Sequence, residues 1–251
     1  MSVPRATVGG MGATNEIEFR SDVTVELVKH AASDADVLWA ARVSTKGEQS
    51  LEELEKDPGK SAGLINFLMR DRHGTPFEHS SMTFYVQAPI FVFREFMRHR
   101  TFSYNEESGR YRQLRPMFYV PAPERNLVQQ GKPGAYEFVP GTDDQHKMAA
   151  ESIRSSCEQA YASYQSMLDA GVAREVARMV LPVGTYSSMY ATCNARALMN
   201  FLSLRTKRPD STFPSFPQRE IEMVAEQMED QWAAIMPLTH AAFEKNGRVC
   251  P

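Results

Sequence analysis

Residues 98–112 concentrate side chains suited to a charged ligand: Arg98, His99, Arg100, Arg110 and Arg112 stand among Tyr104, Asn105, Glu106, Glu107, Ser108 and Tyr111. The guanidinium groups of Arg98 and Arg100 can fork around phosphate oxygens, which the point charge of lysine does less well. Ser108 and Gly109, just before Arg110, add a hydroxyl and a backbone N–H that a ligand can approach closely, a second set of phosphate donors. Glu106 can accept a hydrogen bond from a ribose hydroxyl or an imide N–H. The cluster follows an apolar run at 88–97, and a polar cluster on a rigid apolar element is what a preorganised anion site requires. A solvated basic turn is the simpler alternative for such a charge run.

Two further stretches carry arginines in constrained positions. Over residues 194–205, helical geometry puts Arg196, Asn200 and Ser203 on one polar face and Leu198, Phe201 and Leu202 on the opposite one. Arg205 falls on the apolar side, where it needs a structural carboxylate or an anionic ligand; as a C-terminal cation it also complements the helix dipole. Over 172–181, Val172, Val176, Met179 and Val180 read as a core stripe, leaving Arg174 and Arg178 four residues apart. Like charges at that spacing repel slightly, which invites an external anion or an acidic partner such as Glu175.

Other chemistries lack their residues. Cys157, Cys193 and Cys250 are widely spaced, with no C-x-x-C pair, which argues against a zinc site or a disulfide framework and fits a reducing cytoplasm. His99 has no second His or Cys at ligand spacing, so no metal is expected. Cys193 has no neighbouring base, and Ser108 lies outside a G-x-S-x-G elbow. Neither a P-loop nor G-x-G-x-x-G is present. The net charge of −3 gives no global attraction to nucleic acid or an acidic membrane. The first residues lack the apolar stretch of a signal peptide, and no apolar run reaches the length of a membrane span.

The elements that must position these groups read as one helix-rich α+β domain around a mixed or antiparallel sheet over residues 21–251, after a mobile extension over 1–20. Ser33 caps a helix over 34–44. Pro58 and Gly59 interrupt an acidic stretch before a second helix over 61–72, which carries Leu64, Phe67 and Leu68 and ends with Gly74 as its C-cap and Pro76 beyond. Strict alternation over 82–88 turns Met82, Phe84, Val86 and Ala88 one way and Thr83, Tyr85 and Gln87 the other, a half-buried strand. The apolar run at 88–97 reads as a core helix. A Pro- and Gly-rich excursion or lid spans 116–145. Helices are expected over 143–170, 172–181 and 194–205, a strand over 185–192, a Pro-rich loop over 207–217 and a closing amphipathic helix over 218–236.

Arg98-His99-Arg100, followed after seven residues by Ser108, resembles the signature of the flavin-dependent thymidylate synthases. The segments 73–79, 105–111, 174–182 and 194–205 resemble that family in order and spacing, over about residues 40–236. The resemblance implies a homotetramer that binds FAD between subunits and shares its active sites between chains. It implies methylation of dUMP, with 5,10-methylenetetrahydrofolate as carbon donor and NADPH as reductant. By position, Thr75, Glu78, Arg98, His99, Arg100, Glu106, Asn194, Arg196 and Asn200 are the implied FAD contacts. Glu95, Arg98, Glu106, Ser108, Gly109, Arg110 and Arg178 are the implied nucleotide set. Arg205 aligns with the arginine that polarises the pyrimidine ring, and His73 with a position that stacks near flavin and folate. Ser108 is then a substrate ligand rather than an attacking group, and no cysteine nucleophile is needed.

Some features depart from the family. Glu95 stands where some relatives have Gln, 207–217 is long and Pro-rich, and 1–20 and 126–145 match no family segment. A rival reading from another class is an RNA- or ssDNA-binding protein that uses 98–115 for phosphate contacts and base stacking; Glu106, Glu107 and the net charge weigh against it. A third keeps the family's flavin but changes the pyrimidine substrate.

Overall fold

A computed structural model describes residues 16–47, 58–132 and 135–251. Its strands are β1 (Glu18–Arg20), β2 (Thr24–Ala31), β3 (Ser81–Pro89), β4 (Ser103–Glu106), β5 (Met117–Tyr119), β6 (Val128–Lys132), β7 (Ala135–Val139) and β8 (Tyr186–Cys193). Its helices are α1 (Asp34–Lys46), α2 (Pro58–Arg70), α3 (Ile90–Phe96), α4 (Asp143–Asp169), α5 (Arg174–Ala177), α6 (Ala195–Arg205), α7 (Arg219–Ile235) and α8 (Pro237–Lys245).

Alternation over 82–88 predicts a strand, and β3 is a central strand of a four-stranded antiparallel sheet ordered β2-β3-β8-β4. Met82, Phe84, Val86 and Ala88 are fully buried on one face, because successive strand side chains point to opposite sides. Phe93 and Phe96 of α3, Leu198 and Phe201 of α6, and Met228 and Trp232 of α7 join them in one core. Burying each large apolar side chain contributes roughly 1.5–3 kcal/mol of transfer free energy. This packing locks α3 and α6, which carry the candidate residues Glu95, Arg196, Asn200 and Arg205, against the sheet. The α+β class and the antiparallel sheet agree with the sequence reading.

Several boundaries differ for identifiable reasons. Residues 18–20, read as part of a mobile extension, form β1, which pairs in parallel with β5 while Ile17 and Phe19 pack on a second core. Residues 1–15 of that extension, and the acidic stretch before Pro58, lie outside the described residues. Strand β2 was not anticipated; its register with β3 shifts between Leu27 and Lys29, which breaks its alternation. Helix α2 starts at Pro58 rather than at 61, since proline suits the first turn of a helix. Arg72, at φ 65°, provides the left-handed residue after α2, so Gly74 (φ −72°) is not its cap. Of the apolar residues expected on α2, Leu68 is buried and Leu64 packs on the core, but Phe67 is exposed, and Ile65 and Met69 are buried in its place.

The helix expected over 172–181 shrinks to α5 and a 3-10 turn at Arg178–Val180. Of its expected core stripe only Val172 packs inward, on the second core; Met179 is 76% exposed, and Val176 and Val180 are also exposed, while Ala177 is buried. The core run begins two residues late, because Ala88 and Pro89 complete β3 and α3 starts at Ile90. Within 116–145, β5 pairs with β1 and β6–β7 form a hairpin. Helix α4 opens with a capping box between Thr142 and Gln145. The chain does not close at 236, because Pro237 starts α8.

Candidate functional site

Helix α6 positions two of the candidate arginines, Arg196 and Arg205. Asn194 caps its start, accepting the Ala197 N–H across 2.8 Å, and Ala195 N–H donates to Ser80 Oγ at 3.0 Å. Arg196 leaves the first turn and Arg205 the last, about 14 Å apart along the axis at the standard helical rise.

At the C-terminal end, Arg205 meets the turn that follows α3. Its Nε–H donates to His99 Nε2 at 3.1 Å and its Nη1 to Glu95 Oε2 at 3.0 Å. Its side chain is 21% exposed, and Nη2 has no protein partner among the described residues. The sequence alternatives for Arg205 were a structural carboxylate or an anionic ligand. Glu95 is the carboxylate, and Nη2 remains available to a ligand.

His99 is buried against aromatic rings, with its ring edge-on to Phe201 at 4.8 Å. Phe96 stacks on Phe201 at 4.6 Å, and Tyr104 Oη donates to the carbonyls of Phe96 at 2.8 Å and His99 at 3.0 Å. These contacts fix the turn so that Arg98 and Arg100 flank the buried histidine while facing solvent. Neither has an ion-pair partner among the described residues. Burial first, and the Arg205 cation second, depress the His99 pKa to about 4. The ring is therefore neutral, and with Nε2 accepting from Arg205 its proton sits on Nδ1. Burial raises the Glu95 pKa, Arg205 pulls against it, and Glu220 adds to the rise.

At the N-terminal end of α6, a cavity of about 500 Å³ is lined by Arg72, Glu78, Asn194, Arg196, Asn200 and Pro251, among others. Arg196 pairs with Glu78 through Nη1 and donates from Nε to the Pro251 carbonyl at 2.7 Å. Gly74 makes room for it: a Cβ there would lie 2.6 Å from the guanidinium carbon. Thr75 opens the 3-10 turn Thr75–Glu78, which carries Glu78. His73 is exposed beside Phe67, with ring centroids 5.6 Å apart. A nucleotide cofactor fits this donor set: amides, guanidinium groups and a carboxylate line a concave wall.

A third group follows β4. Ser108 Oγ accepts the Arg110 N–H at 3.3 Å, and the Ser108 carbonyl accepts from Tyr111 and Arg112. Gly109 is buried where a Cβ would lie 3.0 Å from the Leu114 side chain and 3.3 Å from Arg178 Cδ. Glu175, offered as a partner for Arg174 or Arg178, pairs instead with Arg110 at 3.0 Å. Arg178 has no ion-pair partner among the described residues. Burial raises the Glu106 pKa, with Glu107 adding to it and Arg178 and Arg94 opposing it.

No hydrogen bond or ion pair joins this third group to Arg205 or Arg196 among the described residues. Next to it in sequence stand exposed apolar side chains, Tyr111 (79%) beside Arg110 and Met179 beside Arg178. Arg72, Thr101 and Pro251 line the cavity without having been singled out from the sequence. Only the path of the chain brings them there, so no local pattern could have flagged them.

Away from these groups, Glu229, His240 and Glu244 bring ligand atoms within 4.8 Å of one another. The Arg248 guanidinium already sits on two of them, with Nη1 2.6 Å from Glu229 and 3.6 Å from Glu244, so the cluster is an ion-pair network.

The family model described as Thymidylate synthase complementing protein matches residues 26–238. A flavin-dependent thymidylate synthase from Streptomyces coelicolor is 70% identical over 94% of this chain and 96% of its own. One from Tropheryma whipplei is 58% identical over 93% and 97%. Among solved structures, the UMP/dUMP methylase PolB from Streptomyces cacaoi, bound with 5-Br dUMP, superposes with a TM-score of 0.88. It is 60% identical, over 94% of this chain and 100% of that one.

Proposed function

The chain belongs to the flavin-dependent thymidylate synthase family, and from that membership we propose that it methylates dUMP to dTMP, with bound FAD, 5,10-methylenetetrahydrofolate as carbon donor and NADPH as reductant. The observation that carries this reading is the setting of Arg205. It is mostly buried, held by Glu95 and His99, and has one guanidinium nitrogen without a protein partner among the described residues. A donor so held stabilises negative charge on the N3/O2 edge of a uracil ring without reorganising as the charge develops. Neutral His99 leaves Arg205 as the cation of this contact and orients it through Nε.

A bound reduced flavin supplies hydride, and the protein orients, excludes water and stabilises charge. Thr75, Glu78, Asn194, Arg196 and Asn200, with Arg98, His99, Arg100 and Glu106, would hold FAD. Ser108, Gly109, Arg110 and Arg178, with Glu95, Arg98 and Glu106, would hold the nucleotide, its phosphate on the guanidinium and backbone donors. His73 would stack near flavin and folate.

No hydrogen bond or ion pair joins the Ser108–Arg110 group to Arg205 or Arg196 among the described residues, and Tyr111 and Met179, next in sequence to Arg110 and Arg178, are exposed. Both facts support active sites shared between subunits of a homotetramer. With β1 paired to β5, the chain from about residue 17 onward acts as one catalytic domain, and its reaction places it in the cytoplasm. Among the described residues no helix is long and apolar enough to cross a membrane.

The oligonucleotide-binding alternative is weakened by the stretch it relies on. Phe102 is buried and stacks on Tyr104 at 5.9 Å, so these rings pack the core instead of receiving bases. UMP is the closer competitor for substrate, since PolB is a UMP/dUMP methylase; the 70% identity to a thymidylate synthase supports dUMP.

Tritium release from 5-tritiated dUMP, with FAD, NADPH and methylenetetrahydrofolate omitted singly, tests the assignment. Release that needs all three is expected, with 5-tritiated UMP a poorer substrate. A flavin-loaded protein that releases no tritium under any combination refutes it.

A further inference from the structure

We propose that residues 247–251 form a strap that fixes α6 at both ends, and that Arg248 is a positioning residue for Arg205, acting through Thr206. The proposal rests on the reading of Arg205 as the charge-stabilising arginine. The strap lies beyond residue 238, where the family match ends.

Thr206, the residue after Arg205, is 1% exposed, and each of its polar atoms is engaged. Its N–H and its Oγ1 both donate to the Leu202 carbonyl, at 3.0 Å and 2.7 Å. Its carbonyl accepts from Ser215 Oγ, and its Oγ1 accepts from Arg248 Nη2 at 2.9 Å. Arg248 is itself clamped: Nη1 and Nη2 donate to the two oxygens of Glu229 at 2.6 Å and 2.9 Å. Its guanidinium lies 5.0 Å from the Phe243 ring centroid. Glu229 also meets His240 at 3.0 Å.

Arg248 holds φ at 57°, a left-handed conformation that a non-glycine side chain disfavours and that persists only where surroundings over-determine it. Gly247, at φ 72°, accepts the Thr212 N–H at 2.9 Å, and a side chain on it would collide with Thr212. The strap thereby also anchors the Pro-rich loop after α6. At the other end of the helix, Pro251 accepts from Arg196 Nε, and Cys250 Sγ donates to the Arg196 carbonyl at 3.3 Å. The same five residues therefore hold the helix where each functional arginine leaves it. Fixing residue 206 fixes the last turn of α6, and with it the direction in which Arg205 leaves the helix. Small misplacements of a charge-stabilising group cost large factors in rate.

Thr206→Val keeps the shape and removes the hydroxyl, Thr206→Ser restores the hydroxyl, and Glu229→Met with Arg248→Met removes the buried pair without stranding a charge. On the full-length protein the readouts are flavin absorbance, kcat and KM for dUMP, thermal midpoint, and amide hydrogen exchange over 202–206. The expected result for Thr206→Val and the double variant is retained flavin, a KM near wild type, a kcat lower by roughly 10–100-fold, and faster exchange in the last turn of α6. Thr206→Ser should approach wild type. Folded variants with wild-type kcat and unchanged exchange overturn the proposal. If Thr206→Val fails to fold, the double variant and Thr206→Ser decide it by the same criteria. A wild-type protein without dUMP turnover defeats the functional reading instead, and exchange over 202–206 then decides the strap alone.

Discussion

Arg205 donates its Nε–H to Nε2 of His99 across 3.1 Å, and this contact requires an uncharged imidazole with its proton on Nδ1. The histidine of the signature thus serves as a neutral acceptor wedged against Phe201, between two exposed arginines.

His99 has a folded pKa depressed to about 4 by burial and by Arg205, against an unfolded value of about 6.5. The unfolded chain binds the proton first, so the neutral ring contributes stability above about pH 6.5 that is lost as pH falls through 4. NMR of the labelled imidazole should find an apparent pKa near 4. In Arg205→Ala it should rise only partway toward 6.5, because burial is the larger cause. A wild-type titration near 6.5 contradicts the assignment.

Arg205→Ala should keep FAD bound while turnover falls roughly 10²–10³-fold, as when one preorganised charge-stabilising donor is removed. Arg205→Lys should not restore it, since one ammonium cannot reproduce the Nε contact to His99 and the Nη1 contact to Glu95 together. Near-normal turnover in Arg205→Ala removes the residue from the mechanism.

Arg110 and Glu175 form an ion pair in which both side chains are about half exposed. Exposed pairs contribute about 0–1 kcal/mol, so Glu175→Gln should shift the thermal midpoint little. Arg110→Ala should instead raise KM for dUMP about tenfold or more, the loss of a charged phosphate contact. Equal effects of the two substitutions on KM mean that the pair, rather than Arg110 as a ligand, matters.

Burial pushes the Cys193 thiol pKa well up, so it remains an unreactive thiol. Cys193→Ser should turn over dUMP, and a folded, flavin-loaded but inactive variant contradicts a mechanism without a cysteine nucleophile. Ser108→Ala should weaken nucleotide binding and keep measurable activity. Complete loss of activity with intact nucleotide binding revives Ser108 as an attacking group.

Much of this was legible in the sequence because it is written between near neighbours. Alternation at Met82, Phe84, Val86 and Ala88 identifies β3, and the two faces of 194–205 identify α6, since strand and helix periods repeat within a few residues. The clustered motifs around Arg98, Ser108 and Arg178 carry the family, because each is a short run of chemically demanding types. Local pattern misled where long-range packing won. Val176, Met179 and Val180 have core spacing yet face outward, and Arg72 rather than Gly74 turns the chain after α2.

The sequence by itself required a partner for Arg205 without naming it. That partner, Glu95, lies 110 residues away, and Arg248 reaches Thr206 across 42. No spacing rule spans such separations, because they are set by how β3, β8 and the helices between them pack. Tertiary structure alone decided that Arg205 has both a structural carboxylate and a guanidinium nitrogen left for a ligand. It also decided that a segment past the family's motifs bonds to both ends of the helix that carries Arg196 and Arg205.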